Sequence, residues 1–237
     1  MSLAEQGGHV ARRRAPPAGC AFCGRAWQPG TVRRTDEHLW GQWLRKYAGK
    51  LPASRMSHVA GFATSPSGLS FVEIPTVTTT NKASALHIIT REVCLDCNTG
   101  WMSRLETKAK PVILALAGAA RDATRLTLTT AEARALARWA QKTAITCELT
   151  GDAPFRVATV AMGQQLRDGS LLRGSVVWAA RNAVDFWPAT AQAHATIGAT
   201  PRPVPGEQDR HALLTMIVWR HLTLMVFIAG DHGNLPP

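Results

Sequence analysis

Cys94-Leu-Asp-Cys97-Asn98-Thr-Gly100-Trp-Met-Ser-Arg-Leu-Glu106 is the stretch that decides the fold of this chain. It pairs with a second Cys-x2-Cys motif, Cys20-Ala-Phe-Cys23, which lies far upstream. Two such motifs supply four thiolates, which is the number that a closed tetrahedral zinc site takes. Because a whole structural unit is looped between the motifs, we predict that a structural zinc on these four cysteines staples that unit at its base.

The composition favours a basic, globular protein. The chain has 237 residues and is 46% apolar, which is enough to fill one large domain or two small ones. Its 27 Lys and Arg residues outnumber 16 acidic residues and give a formal net charge of +11. Such an excess favours a polyanionic partner, most often nucleic acid. A basic protein without such a partner is the alternative that charge leaves open.

Cysteine usage and hydropathy indicate the compartment. Four of the five cysteines lie in the two motifs, and Cys147 stands alone on a predicted helix. This distribution favours metal binding in a reducing compartment over a disulfide framework. The N-terminus has no continuous apolar core, and the most apolar stretch, residues 213–229, is interrupted by Arg220 and His221. We therefore expect a cytoplasmic protein without a membrane span.

The pattern of the chain predicts an α+β fold in three parts. Residues 1–18 form a basic flexible arm in which Arg12, Arg13 and Arg14 contact phosphate, with a frayed terminus as the alternative. Residues 19–110 form the zinc unit, which ends in a helix from about residue 99 that Pro111 bends or restarts. Residues 111–237 form a helix followed by strands. The helix begins at the capping box Thr129-Thr-Ala-Glu132, and strand-like patterns lie at 155–162, 175–180, 193–199 and in two runs within 213–229.

A second, more open site is predicted between and beside the two cysteine motifs. Glu37 and His38 lie between the motifs, and Asn98 follows the second one directly. Carboxylate and carboxamide oxygens suit Mg²⁺ or Mn²⁺, and a histidine beside such an ion can take a proton from water. Three alternatives stay open. Asp36 can replace Glu37 as the ligand, Asn98 can cap the following helix, and His58 or His87 can approach the site.

These residues resemble a known family. Cys20-x2-Cys23, Glu37-His38 and Cys94-x2-Cys97-Asn98 resemble the motifs of the four-cysteine HNH endonucleases, and the run from Cys97 to Glu106 is similar to a bacterial and phage subgroup of that family. The resemblance covers residues 19–110. It implies a ββα-metal fold, a structural zinc, His38 as the general base, and Mg or Mn held by Glu37 and Asn98. The implied activity is hydrolysis of DNA phosphodiester bonds.

The chain departs from the family pattern at two positions, which keeps a second function open. Gly41 stands where the family commonly has Pro, and residues 89–91 occupy the region of the family's middle Asn, for which Asn81 is the available substitute. The alternative function is a zinc-stapled nucleic-acid-binding protein that does not cut. In either case we expect Arg104 and Lys108 to face phosphate, unless they only form a solvated helix face.

Overall fold

The computed structural model describes residues 18–48, 56–58, 77–79, 85–118, 126–151, 156–186, 188–197 and 210–230. The strands are β1 Arg34–His38, β2 Met56–His58, β3 Val77–Thr79, β4 Ile89–Cys94, β5 Ser175–Arg181, β6 Ala189–Ile197, β7 Arg210–Trp219 and β8 Leu222–Ala229. The helices are α1 Arg45–Ala48, α2 Ser103–Gly118, α3 Thr130–Thr150 and α4 Val160–Arg167. The architecture is therefore α+β, as the sequence predicts.

The zinc unit contains two antiparallel strands that lead into a helix. β1 pairs with β4, with an irregularity in the register between Thr35 and Glu37. The chain leaves β4 through a wide helical turn, Cys97–Met102, in which Gly100 has a non-helical ψ of −106°. α2 follows this turn directly, so the second cysteine motif lies at the junction between strand and helix.

The C-terminal sheet is antiparallel, in the order β5-β8-β7-β6. Burial alternates along β8, where Leu222, Leu224, Val226 and Ile228 point into the core. This alternation follows from the two-residue period of a strand with one face on a core. Within the described part of the chain, no helix has the length and apolar character needed to cross a membrane.

α3 lies at the centre of the molecule. The predicted capping box is present, with Thr129 accepting from the N–H of Glu132 and the Glu132 side chain accepting in return. Every residue from Trp139 to Leu149 is buried, because α3 packs against α2 and β4 on one side and the C-terminal sheet on the other. Trp139 packs on Trp40, with their ring centroids 6.3 Å apart.

The two predicted halves share one hydrophobic core. Buried residues of the zinc unit, of α2 and α3, and of the C-terminal sheet belong to a single cluster. The predicted boundary between residues 110 and 111 lies inside α2, which continues through Pro111. The division into 19–110 and 111–237 is therefore not a division between separate cores.

The strand predicted at 155–162 is not a strand where the structure describes it, and its last three residues begin a helix. Residues 155–162 alternate in a way that suits a strand, but Thr159 caps a helix by accepting the N–H of Met162, and α4 begins at Val160. A short apolar run of this kind does not distinguish strand from helix by its period alone. The strand predictions for β5, β7 and β8 are confirmed, and the predicted arm lies outside the described residues apart from Ala18.

Candidate functional site

The four motif cysteines form a buried cluster. The sulfur atoms of Cys20, Cys23, Cys94 and Cys97 all lie within 4.8 Å of one another, and none of them is in a disulfide. The Sγ atoms of Cys23 and Cys94 are 3.8 Å apart. Tetrahedral zinc with bonds of about 2.3 Å separates its sulfur ligands by roughly 3.8 Å. The cluster therefore has the geometry to hold a metal ion such as zinc.

Local backbone structure builds this cluster. Gly24 has a φ of 74°, a left-handed conformation that favours glycine, and its N–H donates to the Cys20 carbonyl at 2.8 Å. The N–H of Cys94 donates to the Cys20 sulfur at 3.3 Å. Arg25 donates from Nη2 to the Cys94 sulfur at 3.7 Å, and it also pairs with Asp96. Its positive charge partly offsets the negative charge that metal-binding thiolates bring.

The thiols of the cluster compete for protons. A hydrogen bond from Cys97 lowers the pKa of Cys20 to about 4, and the same contact raises the pKa of Cys97 above its usual value. Burial raises the pKa of Cys94. Four neighbouring buried thiols therefore do not all ionise by themselves, whereas a central cation binds all four as thiolates.

α4 of the C-terminal half packs directly on the first cysteine motif. A Cβ atom on Gly163 would lie 2.5 Å from the Cα of Phe22, so only glycine permits this approach. Gln164 donates from Nε2 to the carbonyl of Cys23 at 3.3 Å. The cluster is thus covered by a helix that the sequence pattern did not associate with it.

His38 lies at the partly exposed end of β1. Its Nδ1 is 3.2 Å from Nε2 of Gln42, whose carboxamide can present either its N–H or its oxygen to a ring nitrogen. Partial burial, and then repulsion from Arg45, lowers the pKa of His38, while Glu37 and Asp36 oppose this shift. The lowered pKa favours the neutral imidazole, which is the form that a general base needs.

Glu37 points into the interior. Its side chain is buried, and its Oε1 accepts from the Nζ of Lys142 at 2.9 Å. The same ammonium donates to Oε1 of Glu106 at 3.0 Å. Burial disfavours the charged form of Lys142, but the two carboxylates outweigh it and raise the pKa of this lysine above its usual value. Glu37 is therefore already paired with a cation.

Asn98 joins the helical turn to β1. Its Nδ2 donates to Thr35 Oγ1 and to the carbonyl of Asp36, each at 3.3 Å. Asn98 lies inside the turn Cys97–Met102 and not at its N-cap position, which Asp96 occupies. It is thus placed beside the strand that carries Glu37 and His38, where it holds the backbone.

The predicted ligands of magnesium or manganese, Glu37 and Asn98, both have protein partners in the structure. Apart from the four cysteines, the described residues contain no group of three or more His, Cys, Asp or Glu ligand atoms close enough to share an ion. Glu37 is paired with Lys142. The alternative ligand, Asp36, accepts from Arg91 at 2.9 Å.

The structure explains one of the two positions at which this chain departs from the family pattern. A Cβ atom on Gly41 would lie 2.4 Å from Nε1 of Trp43 and 2.7 Å from Oε2 of Glu106, so the proline common in the family does not fit here. His87 is exposed and close enough to His38 to help lower its pKa. Asn81 and the side chain of His58 lie outside the described residues.

Of the five predicted phosphate contacts, two lie in the described residues and three do not. Arg104 and Lys108 are exposed and lie one turn apart on α2, so both are free to meet a ligand from the same side of the helix. Arg12, Arg13 and Arg14 fall outside the described residues. Sequence reasoning missed Gln42, although it follows His38 by only four residues, and it missed Lys142.

Comparisons with known proteins give no relative for this chain. No protein-family model, no curated protein and no solved structure matches it. The resemblance to the HNH endonucleases therefore rests on the motif residues themselves, and function has to be argued from the site.

Proposed function

We propose that this chain is an endonuclease that hydrolyses DNA phosphodiester bonds, with His38 as the general base. The observation that carries the proposal is the position of His38. It stands at the partly exposed end of β1, its neutral form is favoured, and a buried four-cysteine cluster lies in the same two-stranded unit. The net charge of +11 provides the attraction to a polyanion.

The proposed reaction is a hydrolysis. Neutral His38 takes a proton from a water molecule, and the resulting hydroxide attacks the phosphorus. The bond from phosphorus to the 3′ oxygen breaks, and that oxygen keeps the electron pair and takes a proton from solvent, which gives a 5′-phosphate and a 3′-hydroxyl. Gln42 keeps the imidazole ring in position through its contact with Nδ1. The four sulfur atoms of Cys20, Cys23, Cys94 and Cys97 would hold a structural zinc, which would tie β4 and the helical turn to the first motif.

The resemblance also implies Mg or Mn on Glu37 and Asn98. Glu37 presents its Oε1 to Lys142, and Asn98 uses its Nδ2 on β1. No step of the proposed reaction is therefore assigned to such an ion. Comparing cleavage with and without added metal measures whether such an ion takes part.

A plasmid-nicking assay tests the proposal. Zinc-loaded protein is incubated with supercoiled DNA alone and with magnesium, manganese or nickel. We expect wild-type protein to cut and His38→Ala to cut at least about 100-fold more slowly, because removing a general base costs about that much. His87→Ala, which removes a nearby exposed histidine, is the matched control. Equal cleavage by wild type and His38→Ala would rule out this role.

A second function is favoured by one specific observation, the pairing of Glu37 with Lys142. It is nucleic-acid binding without cleavage. Under this proposal the protein binds DNA, its affinity for DNA falls steeply as the salt concentration rises, and it does not cut DNA with any of the added metals. Arg104→Ala or Lys108→Ala should each reduce the salt slope by about one, because each removes one phosphate contact. Arg167→Ala, an exposed arginine on α4, is the comparison variant.

A further inference from the structure

We infer that Lys142 is the resident cation of Glu37 and Glu106, and that its ammonium group excludes a divalent metal from Glu37. This inference goes beyond the proposed function, because it concerns what Glu37 binds whether or not the chain cuts DNA. Under this inference, the negative charge of Glu37 is balanced by a lysine of the same chain and not by a metal ion.

Three elements meet at this cation. Glu37 comes from β1, Glu106 from α2 and Lys142 from α3. The Nζ–Oε1 distances of 2.9 and 3.0 Å are those of charge-assisted hydrogen bonds. Both carboxylates therefore have one oxygen directed at the same ammonium group.

The position of the ammonium conflicts with a metal ion. Mg²⁺ requires near-octahedral oxygen ligands at about 2.0–2.1 Å, and Glu37 would supply one of them. An ion bound to this carboxylate would lie close to the charged Nζ, which is already at hydrogen-bond distance from Oε1. The two cations would repel each other strongly in a buried site, where screening by water is weak. A metal on Glu37 would therefore have to bind against the positive charge of the lysine ammonium.

Lys142 is itself shielded from solvent, although its partner Glu106 is partly exposed. The lysine side chain is fully buried, and its neighbours Gln141 and Thr143 are also buried. Glu106 is held close from the other side, since Gly41 leaves just enough space for its Oε2. Moving the ammonium away from Glu37 would therefore take a buried charge from one of its two carboxylate partners.

Manganese binding tests this inference without reference to cleavage. Zinc-loaded, full-length protein is titrated with Mn²⁺, and free Mn²⁺ is followed by electron paramagnetic resonance. We expect wild type and Glu37→Gln to bind the same number of Mn²⁺ ions with Kd values that agree within a factor of two. A site in wild type that Glu37→Gln loses, or binds at least ten times more weakly, would overturn the inference.

A second variant tests the cause of the exclusion. Lys142→Met removes the ammonium and keeps a long side chain, so the folded variant should gain one Mn²⁺ site that disappears in Lys142→Met/Glu37→Gln. A folded Lys142→Met protein without a new site would contradict the exclusion by lysine. Lys108→Met removes an exposed lysine from α2 and should bind Mn²⁺ as wild type does.

If Lys142→Met does not fold, the wild-type and Glu37→Gln titrations still decide the matter. Failure of the endonuclease proposal would instead appear as absent cleavage, with these titrations unchanged.

Discussion

Two clusters of acidic side chains within the described residues differ in the cation that can neutralise them. The first cluster consists of four sulfur atoms, which have the geometry to hold an added metal ion. They belong to Cys20, Cys23, Cys94 and Cys97. Glu37 and Glu106 instead share the ammonium group of Lys142, which the chain supplies itself.

The difference shows what each region depends on. Buried charge is costly unless it is paired, so both clusters need a cation. A metal on the four cysteines would come from solution, and it would make the stability of the zinc unit depend on metal supply. Lys142 comes from α3, and the environment of Glu37 therefore depends on the folding of the C-terminal half.

Loss of the metal cluster should have the largest effect. Cys94→Ala removes one of four ligands, and structural zinc contributes apparent binding energies of about 10–16 kcal/mol in zinc-finger peptides. We expect the purified variant to lack zinc and the unit around β1 and β4 to unfold, as measured by elemental analysis and circular dichroism. Cys147→Ala changes the cysteine outside the cluster and should retain one zinc per chain. Folded, reduced wild-type protein without zinc would contradict the metal assignment.

Loss of the internal cation should have the next largest effect. Lys142→Met leaves the buried Glu37 and the partly exposed Glu106 without their shared partner, and breaking such a buried pair typically costs about 3–5 kcal/mol. We expect this decrease in the free energy of unfolding from urea titration, with zinc content unchanged. Lys108→Met should change stability by no more than about 0.5 kcal/mol, because that side chain is exposed. A similar, small change in both variants would show that the buried pairing contributes little.

A smaller effect is expected at the edge of the metal cluster. Arg25→Ala removes the donor to the Cys94 sulfur, and loss of such an outer contact typically weakens metal binding by about 10–100-fold. Because Arg25 is partly exposed, we expect the lower end of this range in a competition assay with a chromophoric chelator. Arg91→Ala removes an arginine that is paired with Asp36 and should leave zinc affinity unchanged. Equal affinities for all three proteins would rule out a contribution from Arg25.

The smallest effect concerns the pH dependence of stability at His38. Burial, and then repulsion from Arg45, lowers the pKa of this histidine from its ordinary 6.5. The unfolded chain then binds the proton more readily than the folded one, so this contribution is present above pH 6.5 and is lost as the pH falls through the folded pKa. His38→Gln should reduce the loss of stability between pH 7.5 and 5 in urea titrations. An unchanged pH dependence would show that His38 titrates alike in both states.

Local patterns account for what the sequence predicted correctly. The spacing of the cysteines predicts a four-sulfur cluster because ligand number and type are specified within each short motif. The capping box at Thr129 and the strand pattern of β8 are equally local. Each of these signals depends on residues a few positions apart.

The environment of Glu37 could not be predicted in this way. Its partner Lys142 lies 105 residues later, on a helix where a lysine ordinarily suggests a solvated face. Only the packing of α3 between the zinc unit and the C-terminal sheet buries that lysine. The same packing explains why α4 covers the first cysteine motif, although nothing near Gly163 in the sequence indicates it.

The distance between the two cysteine motifs also has a consequence for biosynthesis. Cys94 follows Cys23 by 71 residues. At a translation rate of about 5–20 residues per second, roughly 4–14 s pass between the synthesis of Cys23 and that of Cys94. During that interval the nascent chain carries two thiols without the other two ligands, and Gln164, which contacts Cys23, arrives later still. A reducing environment during synthesis therefore protects the first motif until the second can join it.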